Sequence, residues 1–283
     1  MVAPSRPAPG AVLTHDDDAL DPALVTTSAT SLAQRILPPL GFAAAVTLLW
    51  SLAAARRPDS VLPSPWTVLV ETWRLLLDGG FGPIIGRTAS TMAVGFGVSA
   101  VVGVALGLAL ARRPLADRAV SPYLIGLQSL PSAVWIPVAV IFLGASSRAV
   151  MAVTILGALP SIAIGTRDAV HGIPPILLRA ARTLGADGRT MLVRIVVPAA
   201  LPGIVSGLEH GWAFAFRSLV AGELIIGASG AGLGFFVATA RDEGRVDHLF
   251  AAVLVIMLLG VAVDRLGFAR LQRRLREQRG FGA

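Results

Sequence analysis

Ile173-Pro-Pro-Ile-Leu-Leu-Arg179-Ala-Ala-Arg-Thr-Leu-Gly185-Ala-Asp-Gly-Arg-Thr-Met-Leu-Val-Arg-Ile195-Val-Val-Pro198 is the stretch on which the reading turns. Pro174 or Pro175 suits the first turn of a helix, where its missing N–H would have no partner in any case. Gly185 suits the position just past the helix end, which takes the left-handed conformation. The helix between is short and amphipathic. Ile176, Leu177, Ala180, Ala181 and Leu184 form its apolar face, with Arg179 and Arg182 beside it. A second short helix is expected over residues 187–196, with Pro198 restarting the chain. The product is a helix–turn–helix knuckle in which Ala180 and Ala181 leave room for a partner's side chains.

Outward from the knuckle the chain is apolar. Of its 283 residues 54% are hydrophobic and 14% charged, whereas soluble domains average about 25% charged. A bilayer-spanning helix needs about 20 apolar residues. Six runs qualify: Ile36–Ala55, Thr88–Ala111, a third within Ala119–Ser147, Ala149–Thr166, Leu201–Ala228 and Leu249–Val263. The third is broken by Pro122, Pro131 and Pro137, and its spanning part is expected at Ser129–Leu143, preceded by a bent or interfacial segment. The fold class is therefore an all-α integral membrane protein with six transmembrane helices. Its expected organisation is a disordered polar tail at 1–35, a transmembrane domain at 36–268 with the knuckle at 171–198, and a basic tail at 269–283. The first tail lacks the basic start and early apolar core of a cleaved signal peptide.

The residue types exclude several chemistries. Cys is absent, so there is no disulfide, thiol nucleophile or cysteine metal site. All 24 basic residues are Arg. Without Lys the chain carries no Walker A motif and no Schiff-base lysine. The four His show no metal-ligand spacing and no Ser/His/Asp set is visible, so neither a metal site nor a catalytic one is expected. Gly230-x-Gly232-x-Gly234 lacks the strand that a dinucleotide fingerprint requires. A basic balance in so apolar a chain points to inside loops rather than to nucleic acid. With both termini inside, sixteen Arg fall in inside segments and seven outside, which supports that orientation. The Arg270–Arg279 cluster is then a positive-inside anchor that suits anionic lipid headgroups.

Two outside segments stand out. Leu62-Pro-Ser-Pro65 precedes Trp66–Leu77, where Ser64 can cap and Val68, Leu69, Thr72, Leu75 and Leu76 recur at helical spacing. A surface helix is expected, with Trp66 and Trp73 at the interface. Residues 228–247 read as a turn followed by a short helix from Phe235.

The spacing Ala180-Ala181, three residues, Gly185, nine residues, Ile195, two residues, Pro198 resembles the EAA signature of bacterial ABC importer permeases, whose consensus is Glu-Ala-Ala, three residues, Gly, nine residues, Ile-x-Leu-Pro. This sequence departs at Arg179, in the glutamate position, and at Val197, in the leucine position. Leu62-Pro-Ser-Pro, Leu130-Pro-Ser, Arg179–Gly185, Pro198-Ala-Ala-Leu-Pro-Gly203 and Glu223 look like the subfamily for aliphatic sulfonates, taurine and nitrate, over residues 36–270. The resemblance implies a type I importer permease in the bacterial inner membrane, working as a homodimer. It implies two ATP-binding subunits that use the ATP, an external binding protein, and no cofactor bound by this chain. It also makes Arg179, Ala180, Ala181, Gly185, Ile195 and Pro198 the ATPase-coupling residues.

Charges inside the fifth run point to a pathway. Glu209, His210, Arg217 and Glu223 interrupt an apolar helix, where such groups usually face a cavity or pair with a neighbour. His210 and Arg217 are seven residues apart and share a face, and Glu209 lies within about 80° of Arg217 at 100° per residue. Glu223 points about 120° away. Either Arg217 attracts an anion in the pathway, or it pairs with an adjoining helix or a second subunit. The alternative to an ABC permease is an ion-coupled secondary transporter, which leaves the knuckle unexplained and for which no internal repeat is visible.

Overall fold

A chain in lipid must satisfy its backbone polar groups internally, and helices do this within one segment. In the computed structural model, which describes residues 32–56, 62–227 and 232–277, every regular element is helical. The expected disordered tail lies outside the described residues as far as residue 31, as does the basic tail beyond residue 277. The chain divides into two units, residues 1–52 and 53–283. The described part of the first is most of helix α1 (Leu32–Arg56).

The second unit carries α2 (Pro65–Leu77), α3 (Phe81–Arg112), α4 (Pro114–Ser129), α5 (Trp135–Leu143) and α6 (Ser147–His171). After these come α7 (Pro175–Thr183), a single turn α8 (Gly188–Thr190), α9 (Val197–Ile226), α10 (Leu233–Asp242), α11 (Val246–Val263) and α12 (Ala269–Glu277). Four helical stretches among the described residues are long and apolar enough to cross a membrane: α3, α6, Gly188–Ile226 and Val246–Leu275. A bent pair, α4 and residues 132–143, makes a fifth candidate, and Leu40–Arg56 is a shorter apolar helix.

The third span differs from its expected form. Ser129–Leu143 is not one helix. Leu130 and Pro131 are extended (ψ 135° and 125°), and the helices on either side meet at 93°. Proline disfavours helical geometry in the residue before it and donates no hydrogen bond, so the break falls at Leu130-Pro131. Pro137 falls in the first turn of α5 and Pro122 lies inside α4, neither ending its helix. At about 1.5 Å per residue α5 alone reaches only ~14 Å, well short of a ~30 Å core, so α4 must belong to any crossing here.

Around α6 the backbones come close. A Cβ on Gly165 would lie 2.7 Å from Gly207 Cα of α9, and one on Gly107 of α3 would lie 2.4 Å from the Ala163 carbonyl oxygen. Lipid chains are as apolar as the side chains they surround, so small residues that permit such contact drive association. Met92, Val150, Ile162, Ala215 and Leu219 close the core around these contacts. At the end of α6 the Asp117 carboxylate of α4 joins Arg167. Nη2 donates to Oδ2 at 3.1 Å, and Nε lies off-axis 2.6 Å from Oδ1.

Gly165→Leu should therefore abolish a monodisperse, folded product in mild detergent, because a backbone rather than a movable side chain blocks it. Gly86→Ala, which meets nothing within 4 Å, should hold or raise the apparent Tm, since Ala is favoured over Gly in a helix by about 1 kcal/mol. Equal melting of both variants and the native chain would contradict this packing.

Candidate functional site

The knuckle forms as its punctuation requires. α7 starts at Pro175, and Gly185 takes φ +81°. The Gly185 N–H donates to the Arg182 carbonyl at 3.0 Å and the Ala186 N–H to the Ala181 carbonyl at 3.0 Å, the paired bonds of a Schellman end.

Its buried face differs from the expected one. Of the five apolar residues only Ala181 is buried, while Leu178 packs toward Ile173, Ala200 and Ile204. Ile176, Leu177 and Leu184 are 65%, 43% and 86% exposed, and Ala180 is exposed beside them. Ala181 therefore fits α7 to its own chain instead of leaving room for another. Leu178 wins the inward position because it lies across from Ile176 on the helix.

The second helix of the knuckle is not separate either. From Gly188 the chain runs helically to Ile226, through a π-turn at Met191–Val196, and Pro198 restarts nothing. The Val197 N–H donates to the Leu192 carbonyl, a five-residue reach. Widening the helix before a proline gives the ring room and re-pairs the backbone. The signature residues thus part company. Arg179 and Ala180 are on the outer surface, Ala181 is inside, Gly185 makes the turn, Ile195 lies in the π-turn leading into α9, and Pro198 lies in the first turn of α9.

Behind the knuckle lies a cavity of about 860 Å³ lined in part by Arg112, Arg182, Arg189 and Asp187. It is the largest of those described and opens between the end of α3, α7 and the π-turn.

Along α9, Glu209, His210 and Arg217 line a second cavity of about 460 Å³ with Trp212, Phe216 and Asp264. His210 Nδ1 donates to the Ser206 carbonyl at 2.8 Å, and Gln272 of α12 donates to Glu209. Arg217 Nε donates to the Ala213 carbonyl at 3.0 Å, and its guanidinium lies 4.9 Å from the Phe214 ring centre. Among the described residues no carboxylate lies within 4.0 Å of Arg217.

Glu223 stands apart, as its helical angle predicts. It is 5% exposed and accepts from Thr88 Oγ1 of α3 at 3.0 Å and from the Gly234 N–H at 3.0 Å. Thr88 Oγ1 in turn accepts from the Leu233 N–H at 2.8 Å. The carboxylate holds the N-terminus of α10, where free N–H groups favour negative charge. This explains two of the glycines set aside above: a Cβ on Gly232 would lie 2.5 Å from the Glu223 carboxylate, and one on Gly234 2.5 Å from the Val220 carbonyl.

A second clasp escapes sequence reading. Glu71 of α2 and His248 of α11 are both buried, with Oε1 and Nε2 2.8 Å apart. Asp247 brings a third potential ligand within 4.8 Å, but the Arg245 guanidinium sits against His248 Nε2, so the cluster reads as a hydrogen-bonded joint between α2 and α11. The buried face of α2 accordingly holds Val68, Glu71 and Thr72, while Leu69 and Leu76 are exposed. Ser64 caps this helix as expected, accepting from the Thr67 N–H at 3.1 Å. No sequence signal links residues 177 positions apart.

Glu223→Ala should lower the apparent Tm in detergent by several degrees, since each buried donor left unpaired costs about 1–3 kcal/mol. Glu223→Gln, which keeps an acceptor oxygen, should lose less. Melting of Glu223→Ala at the native temperature would refute the clasp.

Comparison with known proteins bears on this arrangement. Residues 101–277 match the family described as binding-protein-dependent transport system inner membrane component. The nitrate import permease protein NrtB of Synechocystis is 28% identical, covering 82% of this chain and 86% of its own. The bicarbonate transport system permease protein CmpB of Synechocystis is 27% identical (84% and 88%), and the taurine transport system permease protein TauC of Escherichia coli 26% (86% and 90%). Among solved structures, a chain of the inward-facing MetNI methionine ABC transporter superposes with TM-score 0.54 at 26% identity, covering 66% of this chain and 92% of its own. An all-helical, membrane-embedded chain with this knuckle and these relatives belongs to the binding-protein-dependent transport system inner membrane component family, as a permease subunit of an ABC importer.

Proposed function

We propose that this chain, as a homodimer in a bacterial inner membrane, forms the pathway of an importer for small anions such as nitrate, bicarbonate, taurine or another sulfonate. A pair of ATP-binding subunits docks on the knuckle and uses the ATP, and an external binding protein delivers the substrate. Both termini are cytoplasmic. α1 and the bent α4–α5 pair complete six spans, the Arg-rich C-terminal end lies against anionic lipid, and neither a cofactor nor nucleic acid is bound by this chain.

One observation carries the reading. The exposed apolar stripe Ile176–Ala180–Leu184 lies just before an uninterrupted helix, Gly188–Ile226, that bears Glu209, His210 and Arg217. From Gly188 to Arg217 that helix extends about 44 Å at 1.5 Å per residue. A push on the knuckle is therefore delivered to the polar face as rigid motion. Arg217 supports an anionic substrate: it lines a cavity shared with Glu209 and Asp264, yet no described carboxylate lies within 4.0 Å of it. The relatives that carry nitrate and bicarbonate point to the same class of cargo.

Two outcomes are expected in proteoliposomes holding the whole importer. Arg217→Ala should cut uptake of the preferred anion at least tenfold, with Arg217→Lys retaining part of it. Leu184→Asp should abolish co-purification of the ATP-binding subunit without loss of folding, since Leu184 is 86% exposed. Unchanged uptake and anion preference in Arg217→Ala would remove Arg217 from the pathway. Retention of the ATP-binding subunit by Leu184→Asp would move the docking site elsewhere.

A further inference from the structure

The docking surface has an unusual charge. Residues 173–198 contain four arginines (179, 182, 189 and 194) against a single acid, Asp187. Arg179 precedes Ala180 in the exposed stripe and sits one helical step from Ile176, so any groove that buries the stripe also takes in the Arg179 guanidinium. Arg182 follows one turn later and lines the 860 Å³ cavity with Arg112 and Arg189. Among the described residues none of Arg112, Arg179, Arg182 and Arg189 has a carboxylate within 4.0 Å. Asp187 lines the same cavity and offsets one of its three positive charges.

A guanidinium cannot shed its proton, and leaving one buried and unpaired on docking is strongly unfavourable. The partner must supply the counter-charge, and carboxylates meet guanidinium groups with matched two-pronged geometry. We propose that the ATP-binding subunit presents to this knuckle a groove whose wall carries carboxylates, one paired with Arg179 and at least one entering the arginine-lined cavity behind α7. The proposal rests on the docking role of the knuckle and adds the polarity of the contact. Since the related signature has glutamate where this chain has Arg179, it also predicts selectivity: an ATP-binding subunit whose groove is basic at that place would be rejected by like charge.

The experiment measures binding of the ATP-binding subunit encoded with this chain to the full-length permease in nanodiscs, at 50, 150 and 500 mM KCl. Native affinity should fall at least tenfold between the lowest and highest salt. At 150 mM, Arg179→Glu should weaken binding at least tenfold and flatten the salt dependence, with Arg179→Ala between it and native. Arg179 is exposed, so neither variant threatens the fold, and Leu184→Asp serves as the docking control. If Arg179→Glu binds as well as native while Leu184→Asp does not bind, the acidic groove is refuted and the docking role stands. If the native chain binds no ATP-binding subunit at any salt, both fall.

Discussion

The backbone contact between α6 and α9 at Gly165 and Gly207 is the constraint from which the rest of the arrangement follows. Two helices that meet at the Cα atoms cannot rotate about their axes without driving side chains into backbone. Gly203 and Gly211, one turn to either side of Gly207, meet Ala169 and Ile162 of α6 at similarly short range. That stripe commits one face of α9 to α6. At 100° per residue Phe216 lies about 180° and Glu209 about 160° from Gly207, on the far face, whereas Arg217 and His210 lie about 80° and 60° from it, at the edge of the glycine face.

α9 is also held at both ends. At one, the π-turn carries it without a break into the knuckle, where Leu178 secures α7 against Ala200 and Ile204 of the same helix. At the other, Glu223 draws α3 and the N-terminus of α10 together through Thr88 and Gly234. The helix from Gly188 to Ile226 is thus continuous and anchored at both ends, and Arg217 lies between the anchors. The Glu71–His248 joint and the Asp117–Arg167 pair tie α2 to α11 and α4 to α6, so the helices around α9 are joined by polar side chains as well as by packing.

Much of this was legible in the residues. Ser64, Pro65, Pro175 and Gly185 act through local backbone geometry, and each marks the helix end it was expected to mark. Apolar run length located α3, α6, α9 and α11 for the same reason. The failures were of another kind. Whether a proline breaks a helix depends on what re-pairs the freed carbonyl: Pro131 bends the chain by 93°, while Pro198 is absorbed by the π-turn before it. Ala181 and Leu178 turn inward, while Ile176, Leu177, Ala180 and Leu184 of the expected apolar face stay exposed, because a nine-residue helix offers too few turns for periodicity to fix its rotation. The partners of Glu223 and Glu71 come from helices distant in sequence, and glycines at 232 and 234 revealed their purpose only once the carboxylate was beside them. Local rules are readable in one sequence; tertiary partners are not.

A permease of this family moves its cargo with ATP used at a partner subunit and not with an ion gradient. The most direct measurement is uptake of labelled nitrate, bicarbonate and taurine into proteoliposomes reconstituted with the permease, its ATP-binding subunit and its binding protein. ATP is either enclosed or omitted, with proton and sodium gradients imposed or collapsed. One of these anions should accumulate in a manner that requires enclosed ATP and survives collapse of both gradients. Accumulation without ATP that vanishes when a gradient is collapsed would contradict it.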